Sequence, residues 1–256
     1  MTFQQILIAF GAILLVSSVF SMFGKGGGSL YTPVLVMLGV SVSSAISTSL
    51  VLNLITALVA TIVFAKNKLV DYRFCLSFIP GTVLGSILGA FLSNKAPKEL
   101  LLWIFSGFLF IAGFLMISSV KSREKDMPKL NLFMLLIVVF FSFGVGVLSS
   151  LIGVGGGLII FPFLILFLNY PAQKAAGANS LIVAVSSAVG SLGHLAFGEI
   201  EFRLLLFTAL ACIIGSYIGS NVTVKASPKF VKVAFAGIMW FFAIQISLDL
   251  LGIKII

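Results

Sequence analysis

Two glycine clusters, Gly24-Lys25-Gly26-Gly27-Gly28 and Gly153-Val154-Gly155-Gly156-Gly157, each break an apolar stretch and precede a short apolar run holding a proline, Pro33 or Pro162. A glycine loop at membrane depth leaves backbone groups unpaired, and lipid penalises each by several kcal/mol, so the loop must line protein or water. A helix starting just after the glycines turns its free N–H groups and positive dipole end into that cavity, where an anion satisfies them. Gly26, Gly27, Gly28, Gly155, Gly156 and Gly157 are therefore candidate ligand-binding positions, glycine supplying positive φ or close backbone approach. A tight turn or helix contact explains either cluster alone, and the duplication favours a site.

Thr48 with Ser49, and Asn179 with Ser180, sit at the start of the next long apolar segment after each cluster. They offer hydroxyl and amide donors without carboxylates, which suits an anionic ligand, and ordinary N-capping of that helix is the plainer reading. Lys25 stands inside the first cluster opposite Val154 in the second. It is either an attractor for anions or a charge that sets topology. His194, the one histidine, has no carboxylate or cysteine at ligand spacing and reads as structural rather than as a proton carrier. The stripes Gly81, Gly85, Gly89 and Ala211, Gly215, Gly219 read as surfaces for close helix packing.

What is missing narrows the chemistry further. Asp71, Glu199 and Glu201 fall at segment boundaries and Asp249 near the end of the last segment, so no span carries the central carboxylate that cation carriers and proton relays use. No paired carboxylates, metal-ligand spacing, phosphate-binding loop or serine with a credible base occurs. The expectation is a protein that is not an enzyme and uses no cofactor or metal. Cys75 and Cys212, in non-equivalent places within apolar segments, read as packing residues.

The segments that position these residues are membrane-spanning. Of the 256 residues 60% are apolar and 9% charged, whereas a soluble domain is about a quarter charged. The net charge of +9 is spread over short loops rather than gathered into a stripe with interleaved aromatics, so the partners are lipid and a small anion, not nucleic acid. Apolar runs long enough to cross lie at about 5–23, 45–65, 72–92, 99–118, 131–150, 176–197, 203–222 and 229–251. Two shorter ones, about 30–39 and 158–168, follow the glycine clusters. The start of the chain lacks a basic n-region, so the first run reads as a structural helix rather than a signal peptide.

The chain repeats itself. Gly24, Gly26 to Gly28 and Pro33 fall on Gly153, Gly155 to Gly157 and Pro162. Ala45 and Ser49 fall on Ala176 and Ser180, Thr48 on Asn179, Arg73 on Arg203, Gly85 on Gly215, and Pro97 on Pro228. Matched glycines and prolines mark common architecture, where chance would match leucines. The reading is an all-α integral membrane protein of two tandem repeats, 1–120 and 131–256, joined by a polar linker at 121–130. Each repeat holds four long helices and one short glycine-preceded half-helix.

Charge orients the copies. If only the long runs cross, both repeats lie the same way up and the sixteen basic residues divide nine to seven. If the short runs count as crossings, the repeats are inverted and Lys95, Lys98, Arg203 and Lys254 face the other twelve, Lys25, Lys66 and Lys121 among them. The stronger asymmetry favours inverted repeats with that face cytoplasmic and both termini outside, although a ten-residue run covers only about half the hydrocarbon. A re-entrant hairpin is the other form open to it.

The duplicated glycine cluster with its following proline, the Ala45 to Ser49 and Ala176 to Ser180 segments, and the paired Gly85 and Gly215 helices together resemble the TauE/SafE family of bacterial membrane proteins, described as sulfite and organosulfonate exporters. The resemblance covers nearly the whole chain. It implies a secondary carrier in the bacterial inner membrane for small sulfur-containing oxyanions. An anion-selective channel and a membrane scaffold without transport are the alternatives, and a homo-oligomer is compatible with each. Lys25 departs from the small or apolar residue expected there, which leaves open whether the two halves contribute equally.

Overall fold

The computed structural model describes residues 3–92, 98–119, 132–152, 156–195 and 202–252. Gly155 and the 121–130 linker lie outside them, as does the side chain of His194. The described residues form ten helices: α1 Phe3–Ser21, α2 Gly28–Met37, α3 Val42–Lys66, α4 Tyr72–Leu92, α5 Lys98–Ser118, α6 Leu132–Ile152, α7 Gly157–Leu166, α8 Ala172–Leu195, α9 Phe202–Lys225 and α10 Pro228–Leu250. Counted over the described residues alone, seven of them are long and apolar enough to cross a membrane, making this a multi-pass membrane protein. The short α2 and α7 begin at the glycine clusters.

The α8 helix, Ala172–Leu195, covers most of the apolar run expected at 176–197. It packs against α3, α4, α7 and α10 and buries Ala175, Ala176, Ala178, Asn179, Ser180 and Ile182. Its small residues let those neighbours approach closely.

Helix ends are set locally. Gly24, at φ 63°, ends α1 in a Schellman turn, with Lys25 N–H donating to Phe20 O at 3.2 Å and Gly24 N–H to Ser21 O at 3.0 Å. Gly39, at φ 88°, ends α2 the same way. Ser41 caps α3 by accepting the Ser44 N–H, and Ser227 caps α10.

Side-chain pairs give the helix directions. Asn53 meets Ser187 and Thr61 meets Ser180, so α3 and α8 are antiparallel. Ser106 meets Ser247, and Lys232 meets Ser119, so α5 and α10 are antiparallel too. Ser17 meets Ala211 and Thr223 meets Met22, making α1 and α9 parallel. The α4 and α6 helices are also parallel, Gly81 lying against Ser142 and Gly85 against Phe143. The glycine stripes are thus seams: Gly81 and Gly85 admit the α6 backbone, and Gly215 and Gly219 that of α1.

These directions gather charge at one end of the bundle. Lys66 and Arg73 flank the α3–α4 turn, Lys174 opens α8, and Gln173 Nε2 donates to Ala226 O, bringing Lys225 to the same end with Lys229 and Lys232. Lys98 and Arg203 start α5 and α9 at the opposite end.

Candidate functional site

The glycine segments meet beside the middles of α3 and α8. Asn53, near the centre of α3, accepts the Gly28 N–H at 2.9 Å and donates to Ser187 Oγ at 2.6 Å. Asn179 on α8 donates to Phe23 O at 2.9 Å and to Gly157 O at 3.2 Å, so one amide ties the first loop to the start of α7. A Cβ on Gly157 would lie 3.1 Å from Lys25 Cα and 3.1 Å from Val183 Cγ2. Phe23 wedges the first loop in place, its ring 5.8 Å from Phe161 of α7 and 5.0 Å from Phe235 of α10.

Several expectations need correcting. Thr48, Ser49, Asn179 and Ser180 do not begin their helices, since α3 starts at Val42 and α8 at Ala172, so capping is not their role. The donors of Asn179 are engaged by carbonyls, and the Gly28 N–H is taken by Asn53. Ser49 Oγ accepts from Thr32, and Ser180 Oγ donates to Gly177 O. Positive φ falls on Gly24 and Gly26, whereas Gly27, at φ −102°, and Gly156, at φ −63°, have ordinary backbones. Gly27 is needed for space instead, because a Cβ there would enter the Tyr31 ring.

Nor do the four polar residues converge. Asn179 and Ser180 face the α3 level of Thr61, and Thr48 lies thirteen residues back along α3, about 20 Å by helix rise. Yet the matched positions share a property. Among the described residues Thr48 Oγ1 and Asn179 Oδ1 are both buried without a hydrogen-bond partner, a state that costs about 1–3 kcal/mol each.

Lys25 is not a loop charge. It is 3% exposed, its Nζ donating to Ser29 Oγ at 2.7 Å and lying 4.4 Å from the centroid of Phe20 and 4.6 Å from that of Phe242. Among the described residues no carboxylate pairs with it. A serine oxygen and two aromatic faces compensate a buried ammonium only in part.

Asn53 escaped sequence reasoning because its repeat partner is Ala184, so the internal alignment hid it. A lone amide in the middle of an apolar span was the signal available.

A polytopic helical bundle with broken helices meeting in its interior is the architecture of a membrane transporter. The chain belongs to the sulfite exporter TauE/SafE family, whose model matches residues 9–246. It is similar to the probable membrane transporter protein YunE of Bacillus subtilis, 27% identical over 98% of this chain and 96% of the relative. MJ0441 of Methanocaldococcus jannaschii, also described as a probable membrane transporter protein, is 27% identical over 86% of each chain. A shorter match, 32% identical over 33% of this chain and 19% of the relative, is to sulfite exporter TauE/SafE family protein 1 of Arabidopsis thaliana. No solved structure matches the chain.

Proposed function

We propose that the protein is a secondary transporter that exports small sulfur-containing oxyanions, sulfite or short organosulfonates, across the bacterial inner membrane, through two inverted repeats. The inverted reading is supported by the antiparallel pairing of equivalent helices, α3 with α8 and α5 with α10. The basic end would face the cytoplasm.

Lys25 carries the proposal for the substrate. An ammonium in the interior, with a hydroxyl and two phenyl faces for company and no carboxylate, suits a compact anion that brings the missing charge. The Gly26 to Gly28 and Gly156 to Gly157 backbones flank that point, with Asn179 holding them together. Thr48 with Ser49, and Asn179 with Ser180, would then line the two access paths, one on each side. A lysine on a flexible stem can follow an anion and release it, which a carrier requires. An inside-negative potential favours anion efflux by about 2.3 kcal/mol per charge per 100 mV, so export needs no buried acid.

The test is flux in proteoliposomes, with sulfite, methanesulfonate, acetate and sodium offered separately at fixed potential. Wild type should move the sulfur anions, and Lys25→Met, shown to be folded by size-exclusion behaviour, should lose at least tenfold. Accelerated exchange when substrate is present on both sides would mark a carrier rather than a channel. Sodium flux without anion flux, or undiminished sulfite flux through Lys25→Met, rejects the reading.

A further inference from the structure

Three cations from two distant parts of the chain converge on a depression at the basic end of the bundle. Lys68 comes from the α3–α4 turn, Arg73 from the first turn of α4 and Lys174 from the first turn of α8, and with Asp71 and Tyr72 they line a cavity of ≈470 Å³. The carboxylate in that lining is engaged, since Asp71 Oδ1 accepts the Phe74 N–H at 3.2 Å in the first turn of α4. Three cations against one carboxylate leave the lining net positive. Bias of basic residues toward one membrane face accounts for their sign, but not for their meeting around one hollow from both halves of the chain.

Lys68 is held there against local preference. It occupies the left-handed position, φ 58°, of the Schellman turn that ends α3, with Leu69 N–H donating to Phe64 O at 2.9 Å and Lys68 N–H to Ala65 O at 3.0 Å. Glycine or asparagine is favoured at that place. Beneath the hollow the chain is close-packed. The Leu69 carbonyl abuts Gly177 of α8, where a Cβ would lie 3.0 Å from Leu69 C. One turn deeper, Ser180 packs on Gly24 and Asn179 holds Phe23 O and Gly157 O.

We propose that this hollow is an oxyanion-capture vestibule, a second binding site distinct from the interior one, on the side from which that site is loaded. The assignment of its ligand rests on the reading of the protein as an oxyanion carrier. Cations on mobile stems around an open hollow hold an anion loosely, raising its local concentration on the loading side without trapping it.

The test uses full-length protein in nanodiscs, with Cys75 and Cys212 replaced by alanine and Tyr72→Cys as the probe. Negatively charged methanethiosulfonate should modify Tyr72→Cys several-fold faster than the positively charged reagent. The ratio should fall toward one in Lys68→Gln/Arg73→Gln/Lys174→Gln, and sulfate should slow the reaction in zwitterionic lipid. In flux measurements the triple variant should raise KM about threefold or more from the basic end, leaving kcat and the opposite face unchanged. Lys68→Gly should unfold at the same or a higher temperature than wild type and still raise KM. Equal rates for the two reagents overturn the proposal. So does protection that requires phosphatidylglycerol and ignores sulfate, which would make the hollow a lipid headgroup site. The labelling result stands even if no sulfur anion is transported, so failure of the vestibule and failure of the carrier reading are told apart.

Discussion

Two asparagines show how a polar side chain inside a membrane bundle can be structural and functional together. Asn179 donates to carbonyls of the first glycine loop and of the start of α7, and Asn53 satisfies the first N–H of α2 while reaching Ser187 across the α3–α8 seam. Replacing Asn179 by leucine removes two buried hydrogen bonds and takes the amide donor from the Phe23 carbonyl, at about 1–3 kcal/mol. Asn179→Leu should therefore lower the unfolding midpoint in detergent markedly, whereas Ser49→Ala, which gives up the one bond from Thr32, should cost only about 1 kcal/mol. Equal midpoints for the two would deny Asn179 its clamping role. Gly24 and Gly39 separate backbone strain from crowding in the same assay. Both sit at positive φ, but a Cβ on Gly24 would lie 2.6 Å from Ser180 N, whereas nothing lies within 4 Å at Gly39. Gly39→Ala should cost about 1 kcal/mol, and Gly24→Ala clearly more.

At the scale of elements, small residues decide which helices touch. Hydrophobic burial cannot drive association of helices already in lipid, so close backbone approach must supply it. Gly85 faces the Phe143 carbonyl and Gly146 faces Ser86 N, interlocking α4 with α6, while Gly219 faces Ser18 in the seam between α9 and α1. Gly107, on α5, has nothing within 4 Å of its Cβ position. Gly85→Leu should then abolish the monodisperse peak in size-exclusion chromatography, and Gly107→Leu should leave it intact. Similar behaviour of the two would mean that the α4–α6 seam is not held by close packing.

At the scale of the molecule, the paired directions of α3 with α8 and α5 with α10 make a geometric prediction for the inverted arrangement. Ser106 Oγ and Ser247 Oγ are 2.8 Å apart, so Ser106→Cys with Ser247→Cys should form a disulfide under mild oxidation, whereas Ser106→Cys with Lys229→Cys should not. Single cysteines at Asn67 and Lys225 should be shielded in intact cells from an impermeant thiol reagent, and one at Glu99 labelled, given removal of Cys75 and Cys212. Labelling of Asn67 and Lys225 but not Glu99 would reverse the orientation. Labelling of all three alike would dissolve it.

Much of this was legible from the chain alone, for physical reasons. Lipid contact demands long apolar runs, so the long spans announced themselves, and matched glycines and prolines are the signal for a repeat because these residues report backbone geometry rather than mere apolarity. The family followed from the same residues. Segment 172–195 was legible as an apolar run, whereas its enclosure by α3, α4, α7 and α10 is established only by the tertiary structure. Lys25 could not be told from a topological charge, since burial is a property of its neighbours Phe20, Ser29 and Phe242, two of them on helices remote from each other in sequence. Thr48, Ser49, Asn179 and Ser180 were recognised as polar and matched, but antiparallel packing of α3 on α8 set them on different levels. Asn53 came into view only once the chain was folded, because the contact it makes with Ser187 joins helices whose register the sequence does not contain.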